Sequence, residues 1–445
     1  MNKKKVYFET LGCSKNEVDT NIMISILNKD IFELTNDQTK ANIIVINTCG
    51  FIEPAKIESI DAILELSELK KFGSCEHIVL AGCLAQRYSN ELIDEIPEID
   101  AIIGTGNIDK INEVLINLKN KEKTILIDKI NSSYPEYTKR EVNSFVQYVK
   151  ISEGCNNNCS YCIIPKLRGK NRSRKIEDII AEITHFVNND VKEIILIAQN
   201  TTDYGIDLYG EYKLYELLNR IENIEGDFIV RVLYLYPDHI DDNLINSIKN
   251  NSKIAKYLDI PLQHANSEIL KRMNRRINKE KIKNLIYKLR NEIPDVIIRT
   301  TFIVGFPGET ESEFNELYNF IKNSNFDKVG VFAYSREEGT ASYNYEDQID
   351  DNIKLLRMEK IMELQQNISR QLLKSKIGKT YKALIENRIE EDLYEARSYM
   401  DSPEIDGVIY VKSSQLLNVG QFINVLIVDS QEYDLMGVVV NEFSK

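Results

Sequence analysis

Short apolar runs alternate with helix-like stretches along most of this chain, and that alternation is the feature that most limits its possible folds. Strands separated by helices pair in parallel to form α/β sheets. In the first part of the sequence a helix pattern covers Asn16–Leu27, and we predict a doubly wound α/β domain over residues 3–119. The polar stretch Asn117–Glu141 is predicted to be a linker. The apolar runs of this part are Val6–Phe8, Ile43–Ile46, Ile78–Ala81 and Ala101–Ile103.

A second alternation follows the predicted linker. Its apolar runs are Tyr148–Ile151, Glu193–Ala198, Phe228–Leu233, Tyr257–Ile260, Val296–Ile303 and Lys328–Phe332. About six strand–helix units indicate a partial or full α/β barrel over residues 141–373, closed by a long polar helix at Asp351–Lys374.

After Gly378 the sequence pattern changes to short β-rich runs, which predict a small antiparallel β-barrel over residues 374–443. Turn residues separate these runs from one another. They are Tyr381–Ile385, Gly407–Val411, Phe422–Val428 and Met436–Val440.

Length and composition are typical of a globular protein with several domains. The chain has 445 residues, of which 43% are apolar and 28% are charged. No apolar run approaches the roughly 18 residues that a membrane span needs, so we expect no membrane partner. The N-terminal MNKKKVYFETLGC lacks the apolar segment of a signal peptide, and we expect a cytoplasmic protein. The formal charge of −13 argues against non-specific affinity for nucleic acid.

Seven cysteines all lie within the first 162 residues, at positions 13, 49, 75, 83, 155, 159 and 162. An odd number in a long chain without a secretion signal favours metal or redox use over a disulfide framework. Three of them, Cys155, Cys159 and Cys162, stand together in EGCNNNCSYC. Thiolates suit zinc, copper(I) and iron–sulfur clusters. The four histidines form no ligand-like pair, so a closed zinc site is the weaker interpretation.

A [4Fe–4S] cluster takes one cysteine per iron, so this trio would leave one iron free to bind another molecule. The loop follows a predicted strand, at the end where α/β barrels place their active sites. Its CxxxCxxC spacing resembles the signature of the radical S-adenosylmethionine (SAM) enzymes. The resemblance implies that the open iron is chelated by the methionine part of SAM and that the reduced cluster splits SAM into a deoxyadenosyl radical. Structural zinc is the alternative.

Another three cysteines, Cys13, Cys49 and Cys83, each follow a different strand of the first domain. The carboxyl ends of parallel strands meet at one edge of a sheet, where open α/β folds bind ligands. Taken singly, each cysteine could equally be a small buried apolar residue. Cys75, in the loop FGSCEH, lies outside the pattern and is predicted to be a spare thiol rather than a ligand or redox group.

The surrounding stretches TLGCSKNEVDT, INTCGFI and LAGCLAQRY resemble the N-terminal domain of the methylthiotransferases. The resemblance covers essentially the whole chain, because that family continues with a radical SAM barrel and a C-terminal TRAM barrel. It implies a second [4Fe–4S] cluster, held by Cys13, Cys49 and Cys83, whose open iron presents sulfur. It also implies a second SAM as methyl donor, an electron donor and a sulfur carrier.

Weaker signals follow other predicted barrel strands. In VGFPGET, Gly305 and Gly308 allow close approach of the backbone to a ligand, and by resemblance they lie near SAM; an ordinary tight turn is an equal alternative. Gln199 is predicted to line the same pocket, whereas His264 alone is more typical of a structural histidine. The run PKLRGKNRSRK at residues 165–175 could clamp a carboxylate or phosphate, or form a solvated basic face.

The substrate divides the methylthiotransferases into those that modify transfer RNA adenosine and those that modify an aspartate of the twelfth small-subunit ribosomal protein. From Tyr381 to Lys445 there are twelve acidic and five basic residues, a net charge of −7. Such a barrel repels RNA phosphate and suits a basic ribosomal protein, although the charge could serve solubility alone.

The stretches ISEGCNNNCSYCIIPKLRG, YLDIPLQHANSEILKRMNRR and ARSYMDSPEIDG also resemble the ribosomal-protein branch, RimO. That branch implies transfer of a methylthio group to the β-carbon of the aspartate, with nucleic acid not the favoured substrate. Two alternatives stay open: a transfer RNA methylthiotransferase with the same clusters, and a non-enzymatic metal-cluster protein of ribosome assembly.

Overall fold

A computed structural model describes residues 3–120, 123–127, 130–131 and 139–440. Its first unit is a six-stranded parallel sheet with strand order β2-β1-β3-β4-β5-β6. The strands are β1 (Lys4–Thr10), β2 (Phe32–Leu34), β3 (Ile43–Thr48), β4 (His77–Ala81), β5 (Ile99–Ile103) and β6 (Thr124–Leu126). The helices are α1 (Ser14–Ile26), α2 (Glu53–Ser67), α3 (Leu69–Phe72), α4 (Gly82–Arg87), α5 (Ser89–Glu95) and α6 (Ile111–Asn117).

The central strand of this sheet, β3, is buried along its whole length, as its unbroken run IIVINT requires of a strand covered on both faces. The chain reverses its direction of winding between β1 and β3, so the sheet has a topological switch point there, and ligands of such sheets bind outside the carboxyl ends of the strands at that point. The switch point lies between the strands that precede Cys13 and Cys49.

The doubly wound class is confirmed, but the predicted linker over Asn117–Glu141 is wrong at residues 124–126. These residues form β6, which pairs with β5 through Ala101 opposite Thr124, so the sheet continues beyond residue 119. Both unpredicted strands of this sheet, β2 and β6, are edge strands of three residues. So short a run, partly exposed, carries little of the apolar signal that marks a buried strand.

The second unit is an open sheet of six parallel strands, a partial barrel with order β14-β13-β12-β11-β10-β7. The strands are β7 (Val146–Lys150), β10 (Glu193–Ile197), β11 (Ile229–Val232), β12 (Ile254–Asp259), β13 (Ile297–Val304) and β14 (Lys328–Ala333), and β8 (Ser152–Glu153) pairs with β9 (Arg172–Ser173) apart from them. The helices are α7 (Ile164–Arg168), α8 (Ile176–Asn188), α9 (Ile206–Tyr209), α10 (Leu214–Glu222), α11 (Asp242–Asn250), α12 (Ser267–Arg272), α13 (Lys279–Glu292), α14 (Glu311–Ser324) and α15 (Asp351–Lys374). All six predicted strands are present.

The third unit is a closed five-stranded barrel with order β15-β16-β17-β19-β18. Its strands are β15 (Thr380–Arg388), β16 (Leu393–Ser398), β17 (Ile409–Lys412), β18 (Phe422–Ser430) and β19 (Leu435–Val439). The barrel is antiparallel except for β17 and β19, which pair in parallel. The strand β16 was not predicted, because its sequence LYEARS is polar at positions that the structure buries.

Within residues 396–407 of this barrel, the stretch ARSYMDSPEIDG, four residues contact the partial barrel, whereas Glu404 and Ile405 are exposed. The contacts include the first residues of β10 and β14, which lie at the end of the parallel strands opposite to the loops that follow them. This stretch therefore fastens the two barrels together. The contacts are Arg397 to Glu193 at 2.5 Å, Asp401 to Lys328 at 2.5 Å, Asp406 to Tyr257 at 2.6 Å and the Tyr399 carbonyl to Arg231 at 2.9 Å.

Within the described ranges, no helix combines the length and the apolar character needed to cross a membrane.

Candidate functional site

The thiols of Cys13, Cys49 and Cys83 lie at one edge of the first sheet. Cys13 follows β1 and precedes α1, Cys49 follows β3, and Cys83 lies in the first turn of α4 directly after β4. Because β1, β3 and β4 are neighbours in the sheet, the three strands deliver their thiols side by side at the switch point. All three cysteines are free.

Glycine 12 explains how two of these thiols come so close. Gly12 has a φ of +90°, and a Cβ atom at this position would lie 2.5 Å from Cβ of Cys49. Only glycine tolerates both the left-handed backbone and the contact. A glycine is thus required at position 12 for Cys13 to lie beside Cys49.

The electrostatic surroundings of this trio fit a metal cluster. Burial, together with the neighbouring thiols of Cys83 and Cys13, raises the pKa of Cys49 to about 12. Burial also raises the pKa of Cys83, against the effect of the Arg168 guanidinium. Thiols so placed are neutral by themselves and become thiolates when a metal supplies compensating charge.

The second trio lies in the loop between β8 and α7. The backbone N–H of Cys155 donates to the carbonyl of Gly169 at 3.1 Å, and Sγ of Cys155 accepts a hydrogen bond from the Asn157 amide at 3.4 Å. Burial raises the pKa of Cys155 to about 11 and also raises that of Cys162, and in both cases the thiol of Cys159 adds to the shift. The three thiols therefore share one partly buried pocket.

Among the described residues, no three cysteine, histidine or acidic side chains converge on a position for a single metal ion. A cluster differs from a single ion, since each of its cysteines binds a separate iron.

An aromatic and cationic wall stands beside the second trio. The buried guanidinium of Arg275 lies 4.3 Å from the ring centroid of Tyr236, and donates to the hydroxyl of Tyr161 at 3.3 Å and to the carbonyl of Pro261 at 2.7 Å. Burial raises the pKa of Tyr236, and the Cys159 thiol contributes to that shift. Tyr161 and Arg275 lie in stretches that carry the family resemblance, whereas no sequence motif pointed to Tyr236.

Of the three residues predicted to line a SAM pocket, Gln199 reaches the cluster loop. Its Nε2 donates to the Glu153 carboxylate at 2.5 Å, two residues before Cys155. Its buried Oε1 has no partner among the described residues, nor has Nδ2 of the adjacent Asn200. The unpaired buried acceptor of Gln199 suits a ligand that carries an ammonium group, as SAM does.

The two glycines predicted for the same pocket are packed against side chains of their own chain. Gly305 and Gly308 have φ values of +70° and +74°. A Cβ atom would lie 2.2 Å from Cγ of Lys354 at Gly305, and 2.1 Å from Nη2 of Arg272 at Gly308. Both glycines are thus needed for a turn that fits tightly beneath these two basic residues.

Cys75 and His264 occupy structural positions. Cys75 precedes β4, at the end opposite to Cys83; burial raises the pKa of its thiol to about 11, and the thiol lies 3.4 Å from the carbonyl of His77. The buried ring of His264 accepts from the Asn266 amide at 2.9 Å, and its Nε2 lies 3.3 Å from the Glu309 carboxylate.

A buried ion-pair network joins the first sheet to the partial barrel between the two trios. Nη1 of Arg168 lies 2.9 Å from Asp19 and 3.0 Å from Glu153, while Lys150 lies 2.5 Å from Glu153 and also pairs with Asp19. Burial opposes the ionisation of Glu153, but the cations of Arg168 and Lys150 hold its pKa well below the usual range. The four residues are almost fully buried.

This network corrects both interpretations for two of the six basic residues at 165–175, whereas Lys166, Lys170 and Lys175 are exposed, as a solvated face requires. Arg168 and Arg174 are buried and bind carboxylates of their own chain, Arg174 at 2.6 Å from Glu182. They are neither a ligand clamp nor a solvated face. One signal for the network was present in the sequence, because Lys150 ends a strand whose neighbours Val149 and Ile151 are apolar.

The two trios are separated by one short helix. Cys83 packs in a small buried cluster with Ile163 and Leu167, and the Thr105 hydroxyl donates to the carbonyl of Leu167 at 2.6 Å. Residue 163 directly follows Cys162, and the five residues of α7 span roughly 7.5 Å at 1.5 Å per residue. Cys83 therefore shares a buried cluster with Ile163, the residue that directly follows Cys162.

Three family profiles cover most of the chain. The radical SAM superfamily matches residues 149–321, the Uncharacterized protein family UPF0004 matches residues 5–104, and the TRAM domain matches residues 377–440. Among curated relatives, the ribosomal protein uS12 methylthiotransferase RimO of Clostridioides difficile (strain 630) is 50% identical over 442 residues, which cover 99% of this chain and 100% of the relative. The chain belongs to this methylthiotransferase family.

Other members of the uS12 methylthiotransferase family match to the same extent. The protein of Thermoanaerobacter sp. (strain X514) is 50% identical, with 98% and 99% of the two chains covered, and that of Acetivibrio thermocellus is 48% identical with complete coverage of both. The resemblance to the RimO branch is thereby confirmed.

Solved structures of more distant proteins share the fold. The radical SAM methyltransferase TsrM of Kitasatospora setae has a TM-score of 0.57 at 10% identity, covering 74% of this chain and 73% of TsrM. The cobalamin-dependent radical SAM enzyme OxsB has a TM-score of 0.52 at 13% identity, covering 81% and 56%. At such identities the likeness concerns the fold alone.

Proposed function

We propose that this chain is a radical SAM enzyme that attaches a methylthio group to the β-carbon of an aspartate in ribosomal protein uS12. The observation that supports this most directly is the pair of cysteine trios, each at the carboxyl ends of parallel strands and joined by α7. A full-length relationship to the uS12 methylthiotransferases supports the same substrate.

The six thiols divide into two roles. Cys155, Cys159 and Cys162 would hold the [4Fe–4S] cluster to which SAM binds, and Cys13, Cys49 and Cys83 would hold a second cluster that presents sulfur. When bound, these groups supply the electron, the radical precursor and the sulfur atom. An external electron donor and a sulfur source complete the proposed set of partners.

The other residues of the site position and shield. The unpaired Oε1 of Gln199 accepts from the ligand ammonium, and Glu153 fixes the orientation of that amide by binding its Nε2. Arg275, Tyr236 and Tyr161 exclude water from the pocket, which protects a reactive radical from quenching.

The charge of the C-terminal barrel supports a protein substrate over RNA. Residues 381–445 carry twelve acidic and five basic side chains, and eleven acidic and four basic ones remain without the buried Asp401 and Arg397, an excess that attracts a basic ribosomal protein and repels phosphate.

An anaerobic assay tests the proposal. Reconstituted enzyme receives reductant, sulfide and SAM, with uS12 and transfer RNA offered together, and both are examined by mass spectrometry. We expect a methylthio mass shift on uS12. A shift on the RNA alone would refute the substrate assignment.

Cysteine variants separate the roles of the two trios. Cys159→Ala should abolish deoxyadenosine formation, whereas Cys49→Ala should leave deoxyadenosine formation intact and abolish the methylthio product. Cys75→Ala is the matched control, since this thiol is buried but outside both trios, and it should retain both activities. Deoxyadenosine from the Cys159→Ala variant would contradict the assignment of the radical site.

A further inference from the structure

Helix α2 carries an apolar stripe on its outer face. Its sheet-facing side packs into the core, because Ile63 and Leu66 are buried. On the outer side, Ile57, Ile60 and Leu64 are exposed to 52%, 37% and 49%. Their spacing of three and four residues places them on one line along the helix, the arrangement expected of a buried contact face. These three residues are called the α2 stripe.

Acidic side chains border the α2 stripe on one side. At 100° per residue, Asp61, Glu65 and Glu58 follow the stripe around the helix, and all three are exposed. The single basic residue of α2, Lys56, is largely buried and paired with Glu53 at 2.5 Å and with Glu337 at 3.1 Å. The exposed charge of α2 is therefore entirely negative, and Lys71 of the following helix is exposed but paired with Glu68 at 2.8 Å.

The stripe starts at the rim of the candidate active site. Phe51, 36% exposed, lies two residues after Cys49 and leads directly into α2. The amide of Glu53 lies 3.5 Å from the hydroxyl of Ser335, which follows β14, so the beginning of α2 touches the carboxyl edge of the partial barrel. From there Ile57 to Leu64 spans roughly 10 Å away from the site.

Two hydrogen bonds also connect helix α2 to Cys49 of the site. The hydroxyl of Ser59, on its buried side, accepts from the Cys49 amide at 3.0 Å and donates to the Cys49 carbonyl at 2.9 Å. A molecule held on the outer face of α2 is thus held at a constant distance from the thiol of Cys49.

We propose that the α2 stripe with its acidic border is a docking surface for the basic protein substrate, an inference that rests on the proposed function. Proteins that bind ribosomal RNA carry a surplus of Lys and Arg, and such a partner can bury the stripe while its cations face Glu58, Asp61 and Glu65. The location places the docked protein so that one of its loops enters the site beside Cys49.

A second copy of this chain is a poorer occupant. A two-fold dimer would bring the same patch of both subunits together, so the three carboxylates would face their own copies. Juxtaposed like charges disfavour such an interface.

The test compares an intact substrate with a fragment. Ile57→Gln combined with Leu64→Gln removes the apolar anchor without altering a residue of the site. For intact uS12 we expect KM to rise about thirtyfold, equivalent to about 2 kcal/mol at 1.4 kcal/mol per factor of ten, with kcat unchanged. For a short peptide that carries the target aspartate, KM should not change, since the peptide is too small to reach α2.

Two further variants complete the design. Ile116→Gln in α6, a residue exposed to 42%, is the matched control and should change neither KM. Asp61→Lys combined with Glu65→Lys should raise KM for intact uS12 and weaken its dependence on ionic strength. If the double glutamine variant does not fold, as judged by thermal unfolding and deoxyadenosine formation, the charge variant decides.

The outcomes are distinct. An unchanged KM for intact uS12 overturns the docking surface, and so does an equal rise for protein and peptide. A wild-type dimer that the glutamine substitutions dissociate would assign the stripe to a second copy instead. If wild-type enzyme forms no methylthio product on either substrate, the proposed function fails rather than the docking surface.

Discussion

Replacement of Asp19 by Asn tests whether the ion-pair network holds the first sheet to the partial barrel. Asp19 lies on α1, while its partners Lys150 and Arg168 belong to the partial barrel, and all three are buried. In the variant, Lys150 and Arg168 lose one of the two carboxylates that they share. A buried charge left without its partner is far more costly than a lost surface pair.

The magnitude follows from the contacts. Removing one member of a buried ion pair costs about 3–5 kcal/mol. The low end applies here, because Glu153 still lies 2.5 Å from Lys150 and 3.0 Å from Arg168 and continues to neutralise one cation. We expect the free energy of unfolding to fall by about 3 kcal/mol, roughly a hundredfold in the equilibrium constant.

Urea denaturation of the reconstituted enzyme under anaerobic conditions measures this change, with far-ultraviolet circular dichroism and tyrosine fluorescence as separate probes because several domains can unfold in steps. Glu280→Gln, which removes an exposed pair with Lys283, is the control and should leave the midpoint unchanged. Adding Arg168→Gln to Asp19→Asn restores a balanced Lys150–Glu153 pair and should recover part of the loss. A midpoint for Asp19→Asn equal to that of wild type would refute the reasoning.

Three further predictions concern other parts of the molecule. Burial opposes the ionisation of Glu182, but Arg174 and Arg140 lower its pKa. The ionised carboxylate therefore stabilises the fold above the unfolded pKa of about 4.3, and this stabilisation is lost as the pH falls. Glu182→Gln should make the denaturation midpoint less dependent on pH in the acid range. Gly12→Ala should lower the iron bound in a variant that lacks Cys155, Cys159 and Cys162, because the new Cβ would strike Cys49; unchanged iron content would contradict this. Lys328→Met leaves Asp401 without its cation and should speed tryptic cleavage beside the C-terminal barrel, after exposed Lys379; wild-type cleavage rates would count against that contact.

The parts of the fold that were predictable are those with strong local signals. Buried parallel strands such as β3 are continuous apolar runs, and the helix Asp351–Lys374 agrees with α15 at both ends. Strands β2, β6 and β16 were missed because they are short edge strands or bury polar residues whose partners lie elsewhere in the chain.

The site shows the same division. The edge at which Cys13, Cys49 and Cys83 lie followed from their places after three strands. Pairings between distant residues did not: Asp19 and Arg168 are 149 positions apart, and neither has a local pattern that names the other. The part that residues 396–407 play in joining the two barrels was likewise hidden, since it depends on contacts that only the folded partial barrel provides.

The C-terminal barrel meets the partial barrel at the amino ends of its strands, through Glu193 and Lys328, whereas the thiol loops follow the carboxyl ends. A strand of five residues at about 3.3 Å each separates the two ends by roughly 16 Å. The outward surface of the small barrel can therefore change its charge or shape during evolution without moving any cysteine. Selectivity for a macromolecule and the chemistry of sulfur insertion are thereby open to independent variation within one polypeptide.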